Sequence, residues 1–153
     1  IFTKLKNKSI DYEFVTLNVG LGTFQPIYTK NIEEHTIHEE EYTITESQAE
    51  RINQAKSDGK KIVAIGTTSL RTLESANLDG TIKSGNNKTK LYIYPPYKLK
   101  FVDILFTNFH TPKSSLLVLV STIIGRDKLF EIYNYAIKNR YRFFSYGDAM
   151  IIL

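Results

Sequence analysis

The sequence predicts an α/β protein with a partly parallel sheet and flanking helices. Short apolar segments of strand length alternate with segments of helical period, which is the pattern of strands joined through crossover helices. Such connections place at least two strands parallel. A hydrophobic content of 42% and a charged content of 24% over 153 residues are typical of one globular domain.

The first elements have clear local signals. Residues 12–19 are rich in β-branched and aromatic types and predict a strand. Thr45 and Gln48 match a capping box, so a helix is expected over residues 46–58, ended by Gly59.

A strand, a turn and a helix follow in the middle of the chain. Residues 61–65 are a short apolar run that ends at Gly66, as buried strands do, and residues 69–76 have helical character. Residues 77–90 are polar and rich in Gly, Asn and Lys, so we predict a surface loop. Residues 91–94 read as another strand, stopped by two prolines.

The last third predicts two helices and three strands. Residues 102–106 form the first strand, and residues 107–112 the loop after it. Ser114 or Ser115 can cap an apolar, buried helix through residue 124, with Gly125 at its end. Asp127 is expected to cap the next helix, whose core positions are Leu129, Ile132, Tyr133, Ala136 and Ile137. Residues 142–144 and 149–153 are predicted as strands around a Ser-Tyr-Gly-Asp turn.

Composition narrows the function classes. The chain has no Cys, which excludes disulfides, thiolate catalysis and Cys-based zinc sites. Its longest apolar run, residues 116–124, is too short for a transmembrane helix, so we expect a cytoplasmic protein without a membrane partner. Residues 1–50 hold 4 Lys/Arg against 9 Asp/Glu, whereas residues 51–153 hold 16 against 7. This basic part suits a polyanion such as RNA, although an AT-rich genome that overuses Lys gives the same excess.

Three polar loops follow predicted strands. In parallel sheets, ligands bind beyond the carboxyl ends of the strands, so the loops beginning at Gly20, Gly66 and Thr107 are expected around one site. Gly66-Thr67-Thr68-Ser69 at a helix start suits a phosphate or carboxylate, with Arg71 one turn on. The alternative is helix capping by Thr68 or Ser69.

Two further segments carry candidate chemistry. His35 and His38 with nearby glutamates suit a metal, or a general acid and base, or a solvated surface. Residues 141–148 combine aromatic rings, Arg142 and Asp148. Aromatic rings stack on unpaired bases and Arg pairs with phosphate, as in RNA recognition. The same segment also fits a core strand with a tight turn.

Five segments together resemble the S-adenosylmethionine:tRNA ribosyltransferase-isomerase family of queuosine biosynthesis, in its order and spacing. They read LNVGLGTFQPI, EEHTIHEEEY, IVAIGTTSLRTLES, VDILFTNFHTPKSSLLVLVS and YRFFSYGDAMII. The chain departs from the family at Asn18 (usually His), Ile37 (usually Met) and Thr111 (usually Leu). The family's chain is more than twice as long and carries an inserted β-barrel domain. We therefore expect residues 1–153 to be a catalytic-core fragment that lacks the N-terminal portion.

The resemblance implies transfer and isomerisation of the ribosyl part of S-adenosylmethionine onto 7-aminomethyl-7-deazaguanine at the tRNA wobble position. It implies tRNA and S-adenosylmethionine as partners, no metal, and a monomer. The candidates for proton transfer are His38, His110 and Asp148. The predicted substrate-binding residues are Gly20, Gly22, Thr23, Phe24, Gly66, Thr67, Thr68, Arg71, Thr107, Asn108, Arg142, Phe144 and Tyr146. Two alternative hypotheses are a non-catalytic RNA-binding paralogue and an α/β enzyme that uses a nucleotide at the GTTS loop.

Overall fold

The computed structural model describes residues 1–20 and 25–153 as a mixed α/β arrangement. The helices are α1 (Phe2–Asn7), α2 (Glu46–Ser57), α3 (Thr67–Ala76), α4 (Ser115–Ile124) and α5 (Arg126–Lys138), with a 3-10 turn at Ile32–Glu34. The strands are β1 (Thr16–Asn18), β2 (Glu40–Ile44), β3 (Val63–Ile65), β4 (Asn77–Leu78), β5 (Thr81–Ile82), β6 (Gly85–Thr89), β7 (Ile104–Asn108) and β8 (Ala149–Ile152).

The described strands form three small sheets. One is antiparallel in the order β1-β2-β6, and β4 pairs with β5 in a hairpin. The sheet that matters for the site has the order β3-β7-β8, with β3 parallel and β8 antiparallel to β7. The prediction of a partly parallel sheet with flanking helices is confirmed.

The helix signals are mostly confirmed. Thr45 and Gln48 form the complete capping box of α2, and Ser114 caps α4 by accepting a hydrogen bond from the backbone N–H of Leu117. Asp127 is not the cap of α5, because that helix begins at Arg126. Gly125, with a φ of 83°, lies between the end of α4 and the start of α5. One glycine thus serves both helix ends.

The strand predictions are less accurate. β1 is shorter than predicted, and residues 77–90 contain three short strands in place of a loop, although most of their side chains are exposed. Residues 91–94 and 142–144 form no strand, and β7 begins two residues later than predicted. Strand pairing depends on a partner elsewhere in the chain, which a local pattern does not reveal.

The core lies between α2, α3, α4 and the β3-β7-β8 sheet. Its fully buried members include Ile44, Leu70, Ile93, Phe101, Leu105 and Val120. The opposite face of this sheet is apolar but uncovered in the described structure: Val63, Ile65, Phe106 and Ile151 are 38–67% exposed. Ile137, predicted as core, is also exposed, and α4 is only partly buried.

Candidate active site

The Gly66 turn and the end of β7 are held side by side. Ile65 pairs with Phe106 in the parallel ladder, and the Gly66 N–H donates to the Phe106 carbonyl at 2.8 Å. Gly66 has a φ of 89°, a conformation that favours glycine, and helix α3 starts at the next residue, Thr67. The predicted turn and the TNFH segment therefore meet at one edge of the sheet.

The start of α3 combines half-buried Gly66 and Thr68 with buried Thr67. Within residues 1–20 and 25–153 no side chain caps this helix, and the Ser69 hydroxyl donates backward to the Ile65 carbonyl at 2.8 Å. The capping alternative for Thr68 and Ser69 is therefore not what the structure has. Uncapped N–H groups and the helix dipole attract a negative charge at this end.

The polar end of β7 is built around His110. Thr107 and Asn108 are the last residues of β7 rather than part of a loop, so the backbone ladder fixes them. The Thr107 hydroxyl lies 3.0 Å from His110 Nε2, and the His110 backbone N–H donates to the Tyr133 hydroxyl at 2.8 Å. Tyr133, on α5, was predicted only as a core residue, and its hydroxyl contact has no local sequence signal.

Burial controls the charge of His110. It lowers the pKa of this imidazole from 6.5 to about 4, because the apolar surroundings disfavour the charged form. His110 is therefore neutral at neutral pH and can both donate and accept a hydrogen bond. A neutral ring of this kind suits hydrogen bonding to a heterocyclic base better than abstraction of a proton from carbon.

Asn108 fastens the turn at residues 142–148 to β7. Its side-chain N–H groups donate to the carbonyls of Gly147, at 3.3 Å, and Asp148, at 3.2 Å. The Phe144 N–H also donates to the Phe109 carbonyl at 3.0 Å. The TNFH segment and the turn at residues 142–148 are thus held together by direct hydrogen bonds.

The turn itself is closed by an ion pair. The Asp148 carboxylate accepts hydrogen bonds from the Arg142 side chain at 3.1 Å and from the Arg142 backbone N–H at 2.7 Å. The side-chain hydrogen bond from Arg142 is the first cause that lowers the pKa of Asp148 below its usual value, and the backbone bond is the second. Phe144, at a φ of 70°, and Tyr146, 97% exposed, project from the turn with Arg142. They present aromatic faces and a cation to solvent.

Arg71 is placed differently from a simple surface anion binder. Its guanidinium is buried, forms an ion pair with Glu40, and donates to the Leu91 carbonyl at 3.2 Å. Glu40 in turn accepts the Gly20 N–H at 3.1 Å. Sequence reasoning missed Glu40, although the alternation of β2 places it on the same face as Tyr42 and Ile44, where a charge is unexpected.

His38 stands apart from these contacts. It is exposed in the segment before β2, and none of the described hydrogen bonds or ion pairs links it to His110 or Asp148. His35 packs edge-on against Tyr92, with 5.4 Å between ring centroids, and Glu39 forms a salt bridge with Lys88. Residues 1–20 and 25–153 contain no group of three or more potential metal ligands. Gly22, Thr23 and Phe24 lie outside the described residues.

Comparison with known proteins defines the class. A family model described as "Queuosine biosynthesis protein" matches residues 1–152. The chain belongs to this family.

Individual relatives agree on the kind of protein. The S-adenosylmethionine:tRNA ribosyltransferase-isomerases of Treponema denticola and Clostridioides difficile are each 50% identical to this chain, over 100% and 99% of its length. The crystal structure of the S-adenosylmethionine tRNA ribosyltransferase from Thermotoga maritima superposes with a TM-score of 0.78 at 41% identity, covering 99% of this chain and 48% of that one. The chain spans 45% of the length of the two relatives.

Proposed function

We propose that residues 1–153 form part of the catalytic core of a tRNA-modifying enzyme in queuosine biosynthesis. The reaction moves the ribosyl part of S-adenosylmethionine to the aminomethyl group of the deazaguanine at the wobble position. Adenine and methionine leave, and an epoxycyclopentane forms. The proposal depends on one observation. Gly66, Thr107 and His110 lie together at one end of the β3-β7-β8 sheet, and Asn108 fastens the 142–148 turn to the same place.

The start of α3 is the proposed site for the methionine carboxylate of S-adenosylmethionine or for an RNA phosphate. Gly66, Thr67 and Thr68 bring the start of the helix to the end of β7, and no side chain of the described residues caps it. A carboxylate there gains from the helix dipole and from the backbone donors. The predicted role of the Gly20 loop, with Gly22, Thr23 and Phe24, remains part of this proposal.

His110 and Thr107 are proposed to contact the leaving adenine. A neutral imidazole held by a hydroxyl can hydrogen bond to a ring nitrogen while the bond to ribose breaks. Asp148 stays ionised because of Arg142 and suits either proton acceptance or attraction of the sulfonium. His38 remains a third candidate for proton transfer.

The tRNA is proposed to meet the exposed side chains of the 142–148 turn. Phe144 and Tyr146 can stack on unpaired bases, and Arg142 can pair with phosphate or stack on a base. The same turn is fastened to Asn108, the last residue of β7 and two positions before His110, so a base bound there would lie beside His110. The alternative function, an RNA binder without catalysis, would use this surface equally well.

The uncovered apolar face of the β3-β7-β8 sheet bears on how the core is completed. Val63, Ile65, Phe106 and Ile151 would be costly to leave in water. We propose that the part of the longer family chain outside the match covers them. An environment-sensitive hydrophobic dye should bind the isolated chain strongly. It should bind far less to a hybrid enzyme in which residues 1–153 replace the matched stretch of the Treponema denticola relative. Equal dye binding would contradict this.

The proposal also covers location, assembly and metal dependence. None of the helices in the described ranges is long and apolar enough to cross a bilayer. We propose a cytoplasmic monomer. We also propose that the reaction needs no metal, because the sulfonium of S-adenosylmethionine itself activates the groups that react. A hybrid that elutes at twice its chain mass in size-exclusion chromatography would contradict the monomer.

Site residues are tested in the same hybrid enzyme. His110→Ala and Asn108→Ala should each lower kcat/KM by about 10² or more, because one removes a reacting contact and the other releases the turn. Lys128→Ala, on the exposed side of α5, is the matched control and should leave the rate unchanged. Wild-type rates in both site variants would contradict the placement of the site.

A further inference from the structure

Glu40 occupies a position where a hydrophobic residue would ordinarily stand. On β2 it lies on the same face as Tyr42 and Ile44, and its side chain is fully buried. Arg71, on α3, is 4% exposed and lies between the buried residues Leu70 and Thr72. Removing two charges from water is expensive, and apolar residues of similar size often replace such a pair without loss of stability. Stability alone therefore does not explain the pair.

The ion pair connects two parts of the proposed site. Arg71 lies one turn from the start of α3, and its guanidinium holds one oxygen of Glu40. The other oxygen of Glu40 accepts the Gly20 N–H at 3.1 Å, and the guanidinium also holds the Leu91 carbonyl at 3.2 Å. A path of direct contacts therefore runs from the helix that carries Thr67 and Thr68 to Gly20.

We propose that Glu40 and Arg71 are positioning residues that fix Gly20 relative to the start of α3, and so set the geometry in which S-adenosylmethionine is bound. This inference rests on the proposed function. A carboxylate is suited to the task because it has two oxygens, one for each side of the connection. Arg is suited because its planar fork holds Glu40 and the Leu91 carbonyl at once, which Lys does not do.

The decisive variant removes the connection and keeps the packing. Glu40→Leu combined with Arg71→Met replaces the buried pair by apolar side chains of similar size, so the chain should remain about as stable as the wild type. Glu40→Gln alone leaves Arg71 buried without a counter-charge and should destabilise the fold. Arg71→Lys keeps the charge but not the fork, and serves as the conservative comparison.

Two readouts separate positioning from structure. In the 153-residue chain, hydrogen exchange at the Gly20 amide should accelerate in the double variant while the α3 and β7 amides stay protected. In the hybrid enzyme, the double variant should lose on the order of 10²-fold in kcat/KM, mostly through a higher KM for S-adenosylmethionine, and Arg71→Lys should lose less.

Each result is informative. Wild-type KM and kcat in a folded double variant would overturn the inference, and so would an unfolded double variant, because the pair would then be structural. Unchanged Gly20 exchange in the double variant would also overturn it. If the wild-type hybrid releases no adenine, the proposed function fails, while the exchange measurement still decides whether the pair holds Gly20.

Discussion

Acidification is expected to destabilise this chain through His110. Its imidazole is held neutral in the fold because burial lowers its pKa to about 4, whereas the unfolded chain has an ordinary value of 6.5. Between these two values the unfolded chain binds more protons than the folded chain. The free energy of unfolding therefore rises with pH across this window and falls as the pH is lowered through it.

The magnitude follows from the two pKa values. Relative to neutral pH and above, proton linkage at His110 alone removes about 2 kcal/mol of stability at pH 5 and about 3 kcal/mol at pH 4. That is a large part of the total stability of a small domain. The Thr107 hydroxyl lies within hydrogen-bond distance of the neutral ring, but it carries no charge that would stabilise a protonated His110.

The assay is urea unfolding of the 153-residue chain at several pH values, combined with an NMR titration of its three histidines. His110→Gln should flatten the pH dependence between pH 4 and 6.5. Thr45→Ala, which changes stability without removing a titratable group, is the control and should keep the pH dependence. A titration of His110 near 6.5, or an equal pH dependence in the His110→Gln chain, would refute the reasoning.

Three further predictions concern local structure, each measured by urea unfolding. Glu74→Gln should lower the free energy of unfolding by about 2–4 kcal/mol. The buried carboxylate accepts hydrogen bonds from a tyrosine hydroxyl and three backbone N–H groups, and an amide cannot accept all four. An equal loss in the exposed control Glu50→Gln would contradict this. Gly147→Ala should cost about 1–3 kcal/mol, because a Cβ there would lie 2.4 Å from a backbone oxygen of the turn. Gly20→Ala, where a Cβ meets nothing within 4 Å among the described residues, is its comparison, and similar stabilities would count against the tight turn. Thr45→Ala should cost about 1 kcal/mol through loss of the capping box, and no change would show that the cap is dispensable.

Local signals account for what the sequence predicted well. The capping box at Thr45, the serine cap at Ser114 and the glycine ends of helices are decided by neighbouring residues, and all three are present in the structure. The turn at Gly66 was likewise predictable, because a strand, a glycine and a helix follow one another directly. The position of this turn beside Thr107 followed from the rule for parallel strands and is confirmed.

The contacts that organise the site are non-local and were not predictable in the same way. Asn108 was expected to bind substrate, but its amide holds carbonyls 39 and 40 residues away in the chain. Arg71 was expected to meet an anion directly, and the structure pairs it with Glu40, 31 residues away. A single sequence indicates that such groups are polar and well placed. It does not indicate which partner each one takes.

The most direct test of the proposed function is the reaction itself. The hybrid enzyme and the unaltered Treponema denticola relative would be incubated with S-adenosylmethionine and an anticodon stem-loop that carries 7-aminomethyl-7-deazaguanine at the wobble position. Adenine would be followed by chromatography and the RNA by mass spectrometry. We predict adenine release with a matching gain in RNA mass for both proteins, so that Asn18 is a tolerated replacement. Stem-loop binding by a folded hybrid without adenine release, while the unaltered relative turns over, would contradict the proposal and favour an RNA-binding protein without catalysis.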